Sequence, residues 1–292
     1  MTVEIINDIN NHLLLDLGNP QASGFIIESI TGLGSPDASI NMDARAIGNG
    51  SRFNSSRGNS RNVVFNLVFD RTTRPIEETR RLCYKIFPIG KKIDMIFSTK
   101  NRVCKTSGYV ETNEPDIFSK SEGVQISVLC EDAYLQGVSE NVIEFSGITS
   151  AFEFPFDNNS LSENLIELSN IYMLQECNVE NQGDADTGFV MTIDFKEEVS
   201  NLTISKENEY GALSVNDFTF TESSRLVLST INGRRDILVE NWGVLYQTVN
   251  LLDKMSGSWL MLNRGDNVIK VEGTGLNDSF IQVEFPTLYA GV

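Results

Sequence analysis

Hydrophobic positions along this chain fall into short runs, period-two or wholly apolar, separated by Gly, Asn, Ser and Asp. In the first half such runs occupy 24–30, 62–69, 92–97, 108–110, 124–130 and 142–145. In the second half they occupy 151–156, 188–195, 202–205, 217–221, 225–229, 235–239, 259–262, 267–271 and 279–285. Alternation puts every second side chain on one face, as a half-buried strand requires, so the pattern predicts a mainly β protein whose second half is a sandwich. The run VVFNLVF at 63–69 is β-branched and aromatic with a single polar break, which predicts a central strand covered on both faces. Asn232-Gly233 predicts a type I′ hairpin turn and 264–267 a second turn, whereas 245–255 is the one segment of the second half that admits a short helix and is left unassigned.

One helix interrupts the strands of the first half. Pro75 precedes IEETRRLCYKIF at 76–87 and Pro88 follows; the first proline suits a helix start, Glu77 and Glu78 favour its positive end, and Pro88 stops it. Ile76, Cys83, Ile86 and Phe87 fall on one face, leaving Arg80 and Arg81 partly off it as solvated charges.

The least regular stretch is 34–61, GSPDASINMDARAIGNGSRFNSSRGNSR, glycine- and asparagine-rich and basic. Arg45, Arg52, Arg57 and Arg61 stand there against Asp37 and Asp43, with few apolar anchors, so the segment is expected to be mobile in an isolated chain and to bind something. A β-hairpin arm docking on a neighbouring subunit is one option and nucleic-acid contact another. A chain of pI about 4.5 with one local basic segment is a poor general DNA binder, so no nucleic-acid specificity is expected.

Charge divides the chain. Residues 1–137 carry 15 Lys+Arg against 16 Asp+Glu, and residues 138–292 carry 8 against 24. Two halves of similar length and such different electrostatics predict two domains, 1–137 and 138–292, with separate jobs. No window approaches the ~20 apolar residues of a membrane span, and MTVEIINDINNHLLLDLG has acids ahead of its apolar run, so neither membrane insertion nor a secretory signal is expected.

Candidate chemistry is thin. Cys83, Cys104, Cys130 and Cys177 are scattered without a CxxC pair and read as buried thiols, and a lone histidine, His12, cannot complete a zinc site, so no metal or cofactor is expected. His12 lies in a polar segment and reads as an exposed imidazole; no G-x-S-x-G, P-loop or dinucleotide fingerprint occurs, and no catalytic residue is assigned. A glycosidase carboxylate pair is set by spatial separation, which sequence does not show. Asp184-Ala185-Asp186-Thr187-Gly188 reads as a turn, and the RGD triplet at 264–266 belongs to a hairpin turn. Trp242 and Trp259 admit a glycan-stacking role, with core packing the commoner use of such residues.

Several segments together resemble the distal tail protein family of long-tailed bacteriophages. GFIIESITGLG at 24–34 resembles that family's opening strand and turn, followed by a long polar loop and a strand ending Phe69-Asp70. RRLCYKIFP at 80–88 resembles its helix, and VQISVLCEDAY at 124–134 the strand closing its first domain, with Ala133 where the family often has proline. WLMLNRGDNVI at 259–269 is similar to its C-terminal hairpin, followed by a last strand ending at Tyr289.

The resemblance implies a mainly β fold: an N-terminal β-sandwich-like ring-forming domain with one helix, then a galectin-like C-terminal β-sandwich. It implies a structural, non-enzymatic tail component in the virion, made in the host cytoplasm. Its implied partners are five further copies in a sixfold ring, the tail tube protein, and tail-tip, baseplate or receptor-binding proteins. The near-neutral first half suits ring association and the acidic second half suits solvent. The competing reading is a carbohydrate-binding module that recognises a bacterial surface glycan through the second domain.

Overall fold

The computed structural model describes residues 1–292 apart from 120–121, 151–168, 208–210, 242–246 and 277–278. Contacts divide the chain into two units, Met1–Val138 together with Leu288–Val292, and Ser139–Thr287. The sequence expectation ran the second domain to residue 292; the last five residues instead count with the first unit.

In the first unit the strands are Thr2–Asn7 (β1), His12–Asp16 (β2), Phe25–Thr31 (β3), Ala38–Ala44 (β4), Ser51–Gly58 (β5), Arg61–Phe69 (β6), Lys92–Ser98 (β7), Val103–Pro115 (β8) and Gly123–Cys130 (β9), with one helix, Ile76–Ile86 (α1), between β6 and β7. Antiparallel pairing runs β2-β1-β7-β8-β9-β6-β3. The long strand β8 pairs β7 through Val103–Tyr109 and β9 through Gly108–Pro115, with a register shift between Val110 and Thr112. A bulge of that kind bends a strand so that its two halves serve different layers.

As expected, β6 is central, flanked by β3 and β9. Val63, Phe65, Leu67 and Phe69 are buried while Val64, Asn66 and Val68 are half-buried, so one face is sealed and the other only partly covered. The helix closes the core: Cys83, Ile86 and Phe87 are buried, the Phe65 and Phe87 rings lie 6.0 Å apart, and Asn7 Nδ2 donates to the Lys85 carbonyl at 2.9 Å. Glu77 and Glu78 occupy its first turn and Lys85 its last, each sign matched to the helix dipole. Arg80 departs from the solvated reading, since it donates to Glu122 Oε2 at 2.5 Å in a partly buried ion pair. Arg81 is exposed.

Leu135–Glu144 (β10) carries the chain into the second unit. There the strands are Ser146–Ser150 (β11), Ser169–Met173 (β12), Glu176–Asn181 (β13), Val190–Asp194 (β14), Val199–Lys206 (β15), Ala212–Phe220 (β16), Ser224–Ser229 (β17), Asp236–Asn241 (β18), Gln247–Asn250 (β19), Met255–Gly257 (β20), Gly265–Thr274 (β21) and Phe280–Tyr289 (β22). One sheet runs β19-β18-β17-β14-β22 and another β13-β21-β15-β16-β20, while β11 and β12 pair with each other. Both sheets bury alternate side chains into one apolar core that includes Phe189, Phe195, Phe220, Phe285, Leu202 and Val271. The Phe195 and Phe220 rings stack at 4.5 Å. The mainly β class with a second-half sandwich therefore holds.

Local expectations fail in two places. The hairpin expected around Asn232-Gly233 is present, β17 pairing antiparallel with β18, but Ser229 pairs with Asp236 across a six-residue connection, and of Asn232 and Gly233 only the glycine has a positive φ, +79°. A type I′ turn needs both central residues there. Residues 259–262 form no strand beyond one bridge, Thr187 to Leu262. The buried Asn267 explains this: its Oδ1 accepts from Asn263 N at 2.8 Å and its Nδ2 donates to the Asn263, Gly265 and Val179 carbonyls, side-chain bonds that take the place of a hairpin ladder. The strand expected at 151–156 lies outside the described residues. The segment 245–255 holds β19, a 3₁₀ turn at Leu252–Lys254 and the start of β20 rather than an α-helix, for the part that is described.

Candidate assembly site

The segment expected to be irregular is an ordered hairpin. In it β4 and β5 pair antiparallel from Ala38↔Gly58 to Ala44↔Ser51, with a register shift that bulges Asn54. They form a two-stranded sheet of their own and pair with no other strand among the described residues. Gly48 and Gly50, at φ +91° and +99°, turn the connecting loop, and Arg45 N closes it on the Gly50 carbonyl. The alternation that builds this arm is visible in Ser39-Ile40-Asn41-Met42-Asp43, a period-two pattern that the surrounding Gly, Asn and Ser masked.

Opposed residues share a face, so the register sorts the arm into two. On one face Asn41 Nδ2 donates to Ser55 Oγ at 3.1 Å, Asn54 Nδ2 to Asp43 Oδ2 at 2.5 Å, and Arg52 and Arg57 stand opposite Asp43 and Ser39. On the other, Met42 faces Phe53 with Ile40 two residues away. Ile40, Met42 and Phe53 are 56, 59 and 57% exposed. At the tip Ile47 is 93% exposed. An isolated two-stranded hairpin is marginal in water, and open edges beside an apolar face are features that a partner covers.

Of the four arginines assigned to this segment from sequence, Arg45, Arg52 and Arg57 lie on the exposed arm, and Arg61 does not. Arg61 is 4% exposed at the start of β6. Its Nε donates to the Ala133 carbonyl at 3.0 Å, its Nη1 to the carbonyls of Gly32 at 2.5 Å and Gly34 at 2.6 Å, and its Nη2 to that of Ala290 at 2.8 Å. Burial pulls its pKa below the ordinary value, with the nearby Cys130 and Cys104 opposing that shift. Among the four arginines expected to serve the assembly segment, Arg61 acts instead as a structural bracket at its base, because a buried guanidinium survives only where its donors are satisfied.

The remaining candidates resolve simply. His12 is exposed and sits 2.6 Å from Glu4 Oε1 on the neighbouring strand β1. Trp259 is half-buried against the core of the second unit, and the Arg235 guanidinium lies 5.8 Å from its ring centroid. Trp242 lies outside the described residues.

The strands and the arm define a two-unit β protein that carries an amphipathic hairpin with open edges. Residues 182–287 match the family model of the siphovirus-type tail component, C-terminal domain. The whole chain has the fold of the SPP1 Dit (gp 19.1) protein, described as a paradigm of the hub adsorption apparatus in phages that infect Gram-positive bacteria, with a TM-score of 0.63, 12% identity and 98% of each chain covered. Structures of the phage p2 baseplate in its activated conformation, with Sr and with Ca, align over 97% of each chain at TM-score 0.42 and 9% identity. No curated protein matches the chain in sequence. The resemblance to distal tail proteins read from the sequence is thus borne out by a family match in the second unit and by the fold of the whole chain.

Proposed function

We propose that this chain is a distal tail protein: a structural, non-enzymatic hub of six copies in the virion that joins the tail tube to the tip or baseplate and its receptor-binding proteins. It is made in the host cytoplasm and assembled there with the tail. The 34–61 segment is the assembly element, and its hairpin docks on a second copy of the chain. The observation that carries this reading is the arm itself, whose three large apolar side chains stand more than half exposed on one face. Covering them stabilises a docked arm by roughly 3 kcal/mol, taking about half the value of burying a whole side chain for each. The near-neutral first half supports close association there, and the acidic second half keeps neighbouring second units apart.

Light scattering and negative-stain microscopy of the purified chain test it, with salt varied to screen the acidic half. Rings of six times the 32.5 kDa chain are expected, and Met42→Glu with Phe53→Glu should abolish them without lowering the melting temperature. Rings that persist in the double variant remove the arm from the account. Only monomers at every salt, with a purified tail tube added, overturn the hub.

A further inference from the structure

Both connections of the arm, and the segment that follows the second unit in sequence, meet at one point in the first unit. The outgoing connection runs from Gly32, at the end of β3, to β4, and the returning one ends at Arg61. Asn59 N donates to the Asp37 carbonyl at 2.9 Å and so ties the two connections together. Beyond that, the arm has no sheet partner among the described residues except itself. Its direction therefore depends on what grips the root.

The grip comes from Leu288–Val292. Val292 N donates to the Leu33 carbonyl at 3.1 Å. Gly291 lies so close that an added Cβ would come within 2.8 Å of the Leu33 carbonyl oxygen and 3.3 Å of Gly34 main-chain atoms. Arg61 bridges Gly32 and Gly34 on the arm side to Ala290 on the tail side. Arg102 holds the tail in turn, donating to the Gly291 carbonyl at 2.9 Å with its guanidinium 4.2 Å from the Tyr289 ring centroid. Tyr289, Val292 and Leu33 all pack against the core of the first unit.

We propose that Leu288–Val292, bracketed by Arg61 and Arg102, is a latch that fixes the arm's root and so sets its direction for docking. This rests on the reading of the arm as an assembly element. A latched arm has given up its orientational freedom before it meets a partner; an unlatched one gives it up on docking, and association weakens accordingly. Arg61 is here a positioning residue for the arm. The device also makes docking depend on a segment that lies after the second unit, 229 residues beyond Arg61.

The test uses the full chain with a spin label on Ser55→Cys, on the polar face of the arm opposite Asn41, in a Cys177→Ser background, the other three cysteines being buried. Gly291→Val pushes the tail off Leu33 without removing a core side chain, and Gly291→Ala is the milder form should the first variant melt early. The expected result is a sharper, more mobile label spectrum in the monomer and a ring-forming concentration raised roughly tenfold, with the melting temperature held. Arg61→Met should mobilise the label too, and Arg61→Lys should restore part of the order. A label spectrum unchanged by Gly291→Val and by Arg61→Met overturns the latch, as does a mobile label in chains that assemble at the unaltered concentration. Removal of 38–58 with rings intact overturns the assembly reading instead, and the label experiment still decides separately whether the tail fixes the arm.

Discussion

Arg61 donates to the carbonyl of Ala290 at 2.8 Å, across 229 residues of sequence. The same guanidinium holds Gly32, Gly34 and Ala133, so four carbonyls from three segments distant in the chain share one charged donor. Hydrogen bonds to a charged group contribute more than neutral ones, and removing the donor strands several carbonyls at once. Arg61→Met should therefore cost about 3 kcal/mol. Both tryptophans lie in the second half, so in urea Trp fluorescence follows the second unit and far-UV dichroism follows both. The expected result is an early dichroism phase in Arg61→Met with the Trp midpoint unmoved.

Trp259 is expected to act as a packing residue of the second unit. Trp259→Ala removes a half-buried ring from that core and should lower the unit's stability by about 2 kcal/mol, below the range for a fully buried Trp. Arg235→Ala should cost less than 1 kcal/mol, about the value of an exposed cation–π contact. Calorimetry on both variants checks the order. Equal melting of Trp259→Ala and the unaltered chain, with glycan binding lost, would favour the carbohydrate reading.

Asp70 gives a pH prediction. Its pKa is lowered, first by the Thr72 N–H at 2.9 Å and then by the hydroxyls of Thr73 and Thr72, each at 2.7 Å. A carboxylate held below its unfolded value stabilises the fold fully above about pH 4, and that contribution is lost as pH falls through the lower folded value. Asp70→Asn should thus melt below the unaltered chain at pH 7, and the gap should close as the pH falls under about 4. Melting curves from pH 7 to 2.5 measure it; a gap that widens in acid would contradict the assignment.

The cysteines divide by access. Burial pushes the Cys83 thiol up to about 12, and burial also raises Cys104, Cys130 and Cys177. Only Cys177 is not fully buried. Iodoacetamide at pH 8 should modify Cys177 at least about tenfold faster than the other three in the folded chain, and all four at similar rates in guanidinium. Peptide mass spectrometry reads the result directly.

Much of the fold was legible where the causes are local. The apolar run at 63–69 announced a central strand, and Pro75, Glu77, Glu78 and Pro88 marked a helix that the structure places at Ile76–Ile86. Local signals misled where a side chain from elsewhere took over a turn, as Asn267 does for Asn263. Composition also hid a period: Ile40, Met42 and Phe53 sit among so many small polar residues that a β-hairpin arm was only one of the options the segment left open.

The sequence by itself determined the mainly β class, many of the strands, the helix at Ile76–Ile86 and the split of charge between its halves, because propensity, alternation and capping act over a few residues. Tertiary structure alone decided that Arg61 is a buried bracket rather than a surface charge like Arg45, Arg52 and Arg57. It alone decided that Leu288–Val292 belongs with the first unit and grips the arm's root. The physical reason is that a guanidinium's burial depends on carbonyls converging from 32, 34, 133 and 290, and no local pattern encodes such a convergence.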